Sequence, residues 1–194
     1  MILSVSLMAH ERRALWVDEL LDSLDRPAPV AWDRHNSVWD TGSRAWELYD
    51  PAADWHLVLQ DDVLVVPDLL ARTEALLDGL EHDGPVSLYI GRGRPRQPAV
   101  RRAVAQAQDG WVTMPWLLWG PAIILPTKHI PRMLEACQRG HHEYDRRISH
   151  HYERQSIPTL YTLPCLVDHR DDGSLLGHDR GVARHAWDWA GSTT

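Results

Sequence analysis

The segment Trp55-His56-Leu57-Val58-Leu59-Gln60-Asp61-Asp62-Val63 decides how this chain is read: an apolar run that stops at two adjacent carboxylates. A short, nearly continuous apolar run reads as a strand buried on both faces, the kind found inside a parallel sheet. Ligands of open α/β sheets gather beyond the carboxyl ends of such strands, and acids placed there contribute little to packing. Side chains alternate along a strand, so Asp61 and Asp62 are not both expected to point into the core. At least one is expected to be hydrated, paired or bound to a cation, which makes a metal-assisted site the first expectation. The competing reading is a turn or helix-capping pair ahead of Pro67.

Working outward, residues 1–8 read as a first strand and residues 11–24 as a helix, with Ala14, Val17, Leu21 and Leu24 at helical spacing and Pro27 beyond its end. Residues 29–33 read as a second strand. Residues 41–49 read as a short helix whose start, Thr41-Gly42-Ser43, leaves backbone N–H groups free. After the central strand, Pro67 opens a helix to about residue 80, and residues 86–90 form a fourth strand. The basic stretch 91–96 reads as a turn-rich loop and 99–108 as a weak helix. Residues 111–125 read as two strand segments bent at Gly120-Pro121, followed by helices over 127–138 and 142–155 and a last strand over 159–167. Strands alternating with helices predict the α/β class, with a mostly parallel sheet flanked by helices. One domain over residues 1–178 and a C-terminal tail over 179–194 complete the expected organisation.

Composition narrows the function classes. With 194 residues and 44% hydrophobic content, the chain supports one sizeable core. A net charge of −7 and a pI near 5.9 argue against bulk electrostatic gripping of nucleic acid. Cys137 and Cys165 read as buried fillers in a reducing compartment. The first apolar stretch is too short to span a bilayer and lacks a positive flank, and no later stretch is long enough, so a soluble, cytoplasmic protein is expected. Ten Trp stand beside no Phe, and indole faces serve equally as core or as sugar-stacking platforms.

A second strand end, Leu166-Val167-Asp168-His169, offers a carboxylate and an imidazole. Together with Asp61 and Asp62 this is a mixed ligand set suited to Mn²⁺ or Mg²⁺, while the bland alternative for His169 is a surface ion pair. Histidines at 141, 142, 150 and 151 are a weaker metal candidate, because helical zinc pairs sit four residues apart and His142 and His150 sit eight apart.

The blocks Leu57-Val58-Leu59-Gln60-Asp61-Asp62, Trp119-Gly120-Pro121-Ala122-Ile123-Ile124-Leu125-Pro126 and residues 157–169, in that order and after the start Val5-Ser6-Leu7-Met8-Ala9-His10, resemble GT-A-type glycosyltransferases, particularly small bacterial and phage ones. Gln60-Asp61-Asp62 takes the place of the family's DxD motif, with Gln in the first position. The resemblance implies a Rossmann-like GT-A domain and a hexosyltransferase. Such an enzyme moves a sugar from a nucleotide-sugar donor, here a UDP-sugar, to an acceptor hydroxyl with inversion, in the host cytoplasm if phage-encoded. It implies that Asp62 and His169 hold the divalent ion and that Asp61 contacts the ribose or the metal's water shell.

Met8, Ala9, His10 and Arg13, with Arg12, would cradle the nucleoside; Asp33 would accept from a base N–H; Arg44 would contact the diphosphate. The base that takes the acceptor's proton would be Asp145, with Glu143 as the alternative, more simply explained as a complement to the helix dipole. The acceptor itself, whether a modified DNA base, a protein or a glycan hydroxyl, stays open. Two other classes compete: a non-catalytic nucleotide- or glycan-binding module, and a metal-dependent phosphohydrolase.

Overall fold

The computed structural model describes residues 1–93, 95–140, 143–170 and 184–191. Its strands are β1 (Leu3–Ala9), β2 (Val30–Trp32), β3 (Trp55–Gln60), β4 (Val63–Val65), β5 (Val86–Ser87), β6 (Trp111–Met114), β7 (Ala122–Pro126), β8 (Thr159–Thr162) and β9 (Val167–His169). Its helices are α1 (Ala14–Ser23), α2 (Val38–Glu47), α3 (Leu69–Leu77), α4 (Gln97–Ala105), α5 (Ile130–Cys137) and α6 (Tyr144–Glu153).

Seven strands form one mixed sheet in the order β2-β1-β3-β7-β5-β8-β6, while β4 and β9 pair in a second, two-stranded sheet. β1 runs parallel to β2 and β3, and β5 parallel to β8. β7 runs against β3 and β5, and β6 against β8, so the sheet is mostly parallel in strand direction with two reversed members. This is the Rossmann-like α/β arrangement.

Period-two alternation sorts each strand's side chains onto two faces, and each face has its own helices. Leu3, Val5 and Leu7 of β1 and Leu57 and Leu59 of β3 pack with Val17 and Leu20 of α1, Leu70 and Leu77 of α3, and Val100 of α4. On the other face Met8, Val58, Ile123 and Leu125 pack with Trp46 of α2, Met133 of α5 and Ile148 of α6. Each fully buried Leu or Ile here contributes on the order of 2 kcal/mol from removal of its surface from water. Because β1 sits between β2 and β3, the chain winds through α1 to one side and returns through α2 to the other. That reversal opens a crevice beyond the carboxyl ends of β1 and β3.

β3 ends at Gln60, as read, and Asp61-Asp62 form the turn into β4, a strand the sequence did not suggest, which pairs with β9 rather than extending the main sheet. Three local expectations are corrected. The single last strand expected over 159–167 is two strands in two sheets, with the cis Leu163-Pro164 bond between them; proline has no N–H to give a ladder. α2 starts at Val38, earlier than expected, because Ser37 Oγ accepts from Asp40 N and caps it. Thr41, Gly42 and Ser43 therefore lie within the helix, and Thr41 N is taken by Ser37 O rather than free for a ligand. Of the strand expected over 86–90, only Val86–Ser87 pairs in the sheet.

Residues 184–191, expected in a tail, run back along the core: Trp187 N donates to Ile90 O, Cys165 N to Asp188 O, and Ala190 N to Cys165 O. Both cysteines are free and buried, on opposite faces of the sheet. Among the described residues no helix is long and apolar enough to cross a membrane.

Candidate functional site

At the crevice a cavity of about 310 Å³ opens, and every expected site residue except Arg12 and Arg44 lines it. Met8, Ala9, His10 and Arg13 come from the end of β1 and the turn after it, Asp33 follows β2, and Asp61 and Asp62 follow β3. Glu143 and Asp145 come from the start of α6, and His169 from β9.

Both aspartates are buried but line the cavity rather than the apolar core, because a turn frees them to face the same way, and both are paired with one cation. A short 3₁₀ turn, Glu11–Arg13, delivers that cation. One nitrogen, Arg13 Nη1, donates to Asp61 Oδ1 and to Asp62 Oδ2, each at 2.7 Å, and His10 N donates to Asp61 Oδ2 at 2.7 Å. Arg13, expected to cradle a nucleoside, thus compensates the carboxylates while still lining the cavity. Both oxygens of Asp61 are engaged. Burial, opposed by Arg13 and reinforced by the charge of Asp62, holds the Asp61 carboxyl above its ordinary range.

Asp62 differs. Its Oδ1 is buried without a hydrogen-bond partner, and its Oδ2 lies 3.3 Å from His169 Nε2. The other ring nitrogen, His169 Nδ1, lies 2.6 Å from Arg170 O, a contact that places the N–H there. In a neutral ring Nε2 is then a lone pair facing an anionic oxygen, so the contact calls for a proton or a cation between acceptors. A histidine whose far N–H is anchored on a carbonyl is oriented as metal-binding histidines are. Asp62 and His169 therefore fit a divalent ion of mixed carboxylate and imidazole preference. Among the described residues no group of three or more His, Cys, Asp or Glu side chains converges for a metal, so its remaining positions would fall to ligand oxygens and water.

Asp33 Oδ1 accepts from His35 N, Ser37 N and Thr41 Oγ1, which organises the entry to α2, and its Oδ2 faces His10 Nε2 at 3.8 Å. Burial works against ionisation, but these hydrogen bonds hold its carboxyl below the usual range. Across the cavity, half-buried Asp145 sits in the first turn of α6, its Oδ1 accepting from Arg146 N at 2.8 Å. Burial, helped by the charge of Glu143, pushes its carboxyl up to about 6. Glu143 is exposed at the helix's N-cap. Between them Tyr144 is buried against Gly42, where an added Cβ would lie 2.4 Å from the Tyr144 ring. Close helix approach requires the glycine there.

Arg44 lies outside the cavity: Nη2 donates to Trp32 O at 2.7 Å and, with Nε, to Asp40. Asp168 acts as a clasp, its Oδ1 accepting from His169 N and Ala186 N. Sequence reasoning missed Tyr89 and Arg184, which also line the cavity and meet through a hydrogen bond from Tyr89 Oη to Arg184 O. No local pattern marks either, since one sits in an apolar run and the other in a stretch read as tail. Arg94, His141, His142 and residues 171–183 lie outside the described residues.

No family model matches the chain, and no curated protein matches it in sequence. Among solved structures, a mutant of the Drosophila beta-1,4-galactosyltransferase 7, in complex with manganese, UDP-Gal and xylobiose, is 10% identical with a TM-score of 0.44 over 93% of this chain and 82% of that one, too distant to carry weight. A197 from STIV is 14% identical with a TM-score of 0.53, covering 85% of this chain and 83% of its own. That likeness is one of fold, and the fold shared is the three-layer α/β arrangement described above.

Proposed function

We propose that the chain is a metal-dependent glycosyltransferase of GT-A architecture that transfers a hexosyl group from a UDP-sugar to an acceptor hydroxyl with inversion. The observation that carries this reading is the Asp62–His169 pair, with a buried, unpartnered Oδ1 and an anchored imidazole meeting in the cleft at the sheet's winding reversal. A divalent ion held there supplies charge neutralisation to a departing nucleoside diphosphate, so that the leaving group needs no strong acid.

The chain's own residues do the rest. Met8, Ala9 and His10 wall the nucleoside's side of the cavity, and Asp33 presents Oδ2 toward a base N–H. Arg13 keeps the two aspartates compensated in the absence of ligand, which a buried acid pair requires. Asp145 accepts the proton of the acceptor hydroxyl as its oxygen bonds the anomeric carbon. At neutral pH it is ionised, yet a better base than an ordinary carboxylate.

The test is UDP release from a panel of UDP-sugars with Mn²⁺, in the native protein and in Asp62→Ala. Release that falls at least about 100-fold in a variant that melts like the native protein is expected. Turnover at the native rate in Asp62→Ala overturns the reading. UDP binding with no release from any donor favours a non-catalytic module, and phosphate release from simple esters favours a phosphohydrolase.

A further inference from the structure

A second hollow of about 560 Å³ adjoins the first, and the two share Gly93, Trp119, Glu143, Asp145 and Arg184 in their walls. Its size falls in the range of small-ligand sites. One wall is the connection from β6 to β7, carrying Trp116; the other is a single face of α6, where Asp145, Ser149 and Glu153 recur every fourth residue. Ser149 Oγ accepts from Leu117 N at 3.0 Å and donates to Glu153 Oε1 at 2.5 Å, which ties the helix face to the Trp116 connection and holds the glutamate in place.

Indole surface beside fixed carboxylates is the chemistry that holds a polyhydroxylated ring, whose C–H faces pack on the aromatic while its hydroxyls donate to the acids. Among the described residues the charges balance: the carboxylates of Glu143, Asp145 and Glu153 stand against the guanidinium groups of Arg96, Arg146 and Arg184. One of these, Arg96, lies over the Trp116 ring with Cζ at 4.1 Å. A nucleic-acid backbone is held by an excess of cations, which the described residues of this hollow do not offer.

We infer that the acceptor is a saccharide, seated in this second hollow on Trp116 with one hydroxyl turned to Asp145 where the two cavities meet. The inference rests on the transferase reading. In the transfer, the saccharide O–H gives its proton to Asp145 and its oxygen bonds the anomeric carbon. The anomeric C–O bond to the diphosphate breaks, and its electron pair leaves on UDP.

Saturation-transfer NMR on the full chain with UDP and Mn²⁺ tests it, using maltose, lactose, cellobiose and chitobiose as probes and a single-stranded DNA oligonucleotide as the rival ligand. At least one disaccharide should bind, with its Kd raised about tenfold in Trp116→Ala and less in Trp116→Phe, while each variant still binds UDP. UDP binding without any disaccharide binding overturns the inference and leaves the transferase reading standing. So does a disaccharide that binds Trp116→Ala as well as the native protein, or an oligonucleotide that binds in its place through Trp116. If UDP itself does not bind, the transferase reading falls and takes the saccharide with it.

Discussion

Asp145 and Asp62 are both aspartates in one cleft, and their surroundings set them different tasks. Asp62 is met by a guanidinium and an imidazole, whereas half-buried Asp145 accepts from the backbone N of Arg146, and burial dominates there, so that its carboxyl rises to about 6. A base must be unprotonated to act, so turnover should fall as pH drops through about 6 and level off above it. Asp145→Asn should lower kcat by about 10²- to 10⁴-fold and leave UDP affinity intact. Steady-state rates across pH, with calorimetry for UDP, check both. Lost UDP affinity with unchanged kcat would place Asp145 in donor binding instead. At this scale the acids were legible, because two carboxylates at the end of an apolar run have few structural uses. The Arg13 bridge was not, since nothing local in Glu11-Arg12-Arg13 says which guanidinium turns inward.

The element that brings Asp145 to the cleft is α6, and its position depends on α2. Tyr144 packs on Gly42, and Arg147 lies over Trp39 with Cζ at 4.7 Å, so the two helices meet directly beside the acid. Gly42→Ala would put a methyl group 2.4 Å from the buried Tyr144 ring. The expected cost is about 1–3 kcal/mol of overpacking, with reduced turnover although residue 42 does not line the cavity. Denaturant midpoints and kcat measured together decide the matter, and a variant matching the native protein in both shows that α6 shifts without consequence. The true start of α2 was readable in principle from Ser37, a good cap, but Thr41-Gly42-Ser43 presented a second and equally local signal. The Ser37 cap prevails, and Thr41 N is spent on Ser37 O inside the helix. The split of the last strand into β8 and β9 depends on which edge each segment finds, which no apolar run reveals.

Across the whole molecule, His56 shows how the sheet couples to pH. It is fully buried in β3, Ser4 Oγ lies 2.8 Å from Nδ1, and Ser6 Oγ lies 3.0 Å from Nε2. Ser6 Oγ donates to Ala45 O, so it accepts from Nε2–H, and Ser4 donates to the Nδ1 lone pair of a neutral ring. Burial pushes the ring's pKa down to about 4 from an ordinary 6.5. Between those values the unfolded chain takes up a proton that the native state refuses, so stability is lost as pH falls from 6.5 toward 4. The loss amounts to about 3 kcal/mol. Urea midpoints measured down that range should fall less steeply in His56→Gln; equal slopes in the two proteins would remove His56 as the cause. By itself the sequence determined what is periodic or local: the α/β class, nearly every strand and helix, and the acids waiting at strand ends. The tertiary structure alone decided that Asp62 and His169 meet, that Arg13 bridges the aspartates, and that Tyr89, Trp116 and Arg184 border the cavities. Periodicity reports which face of an element is buried, whereas a cleft is made by segments distant in the chain, whose meeting is set by how whole faces pack.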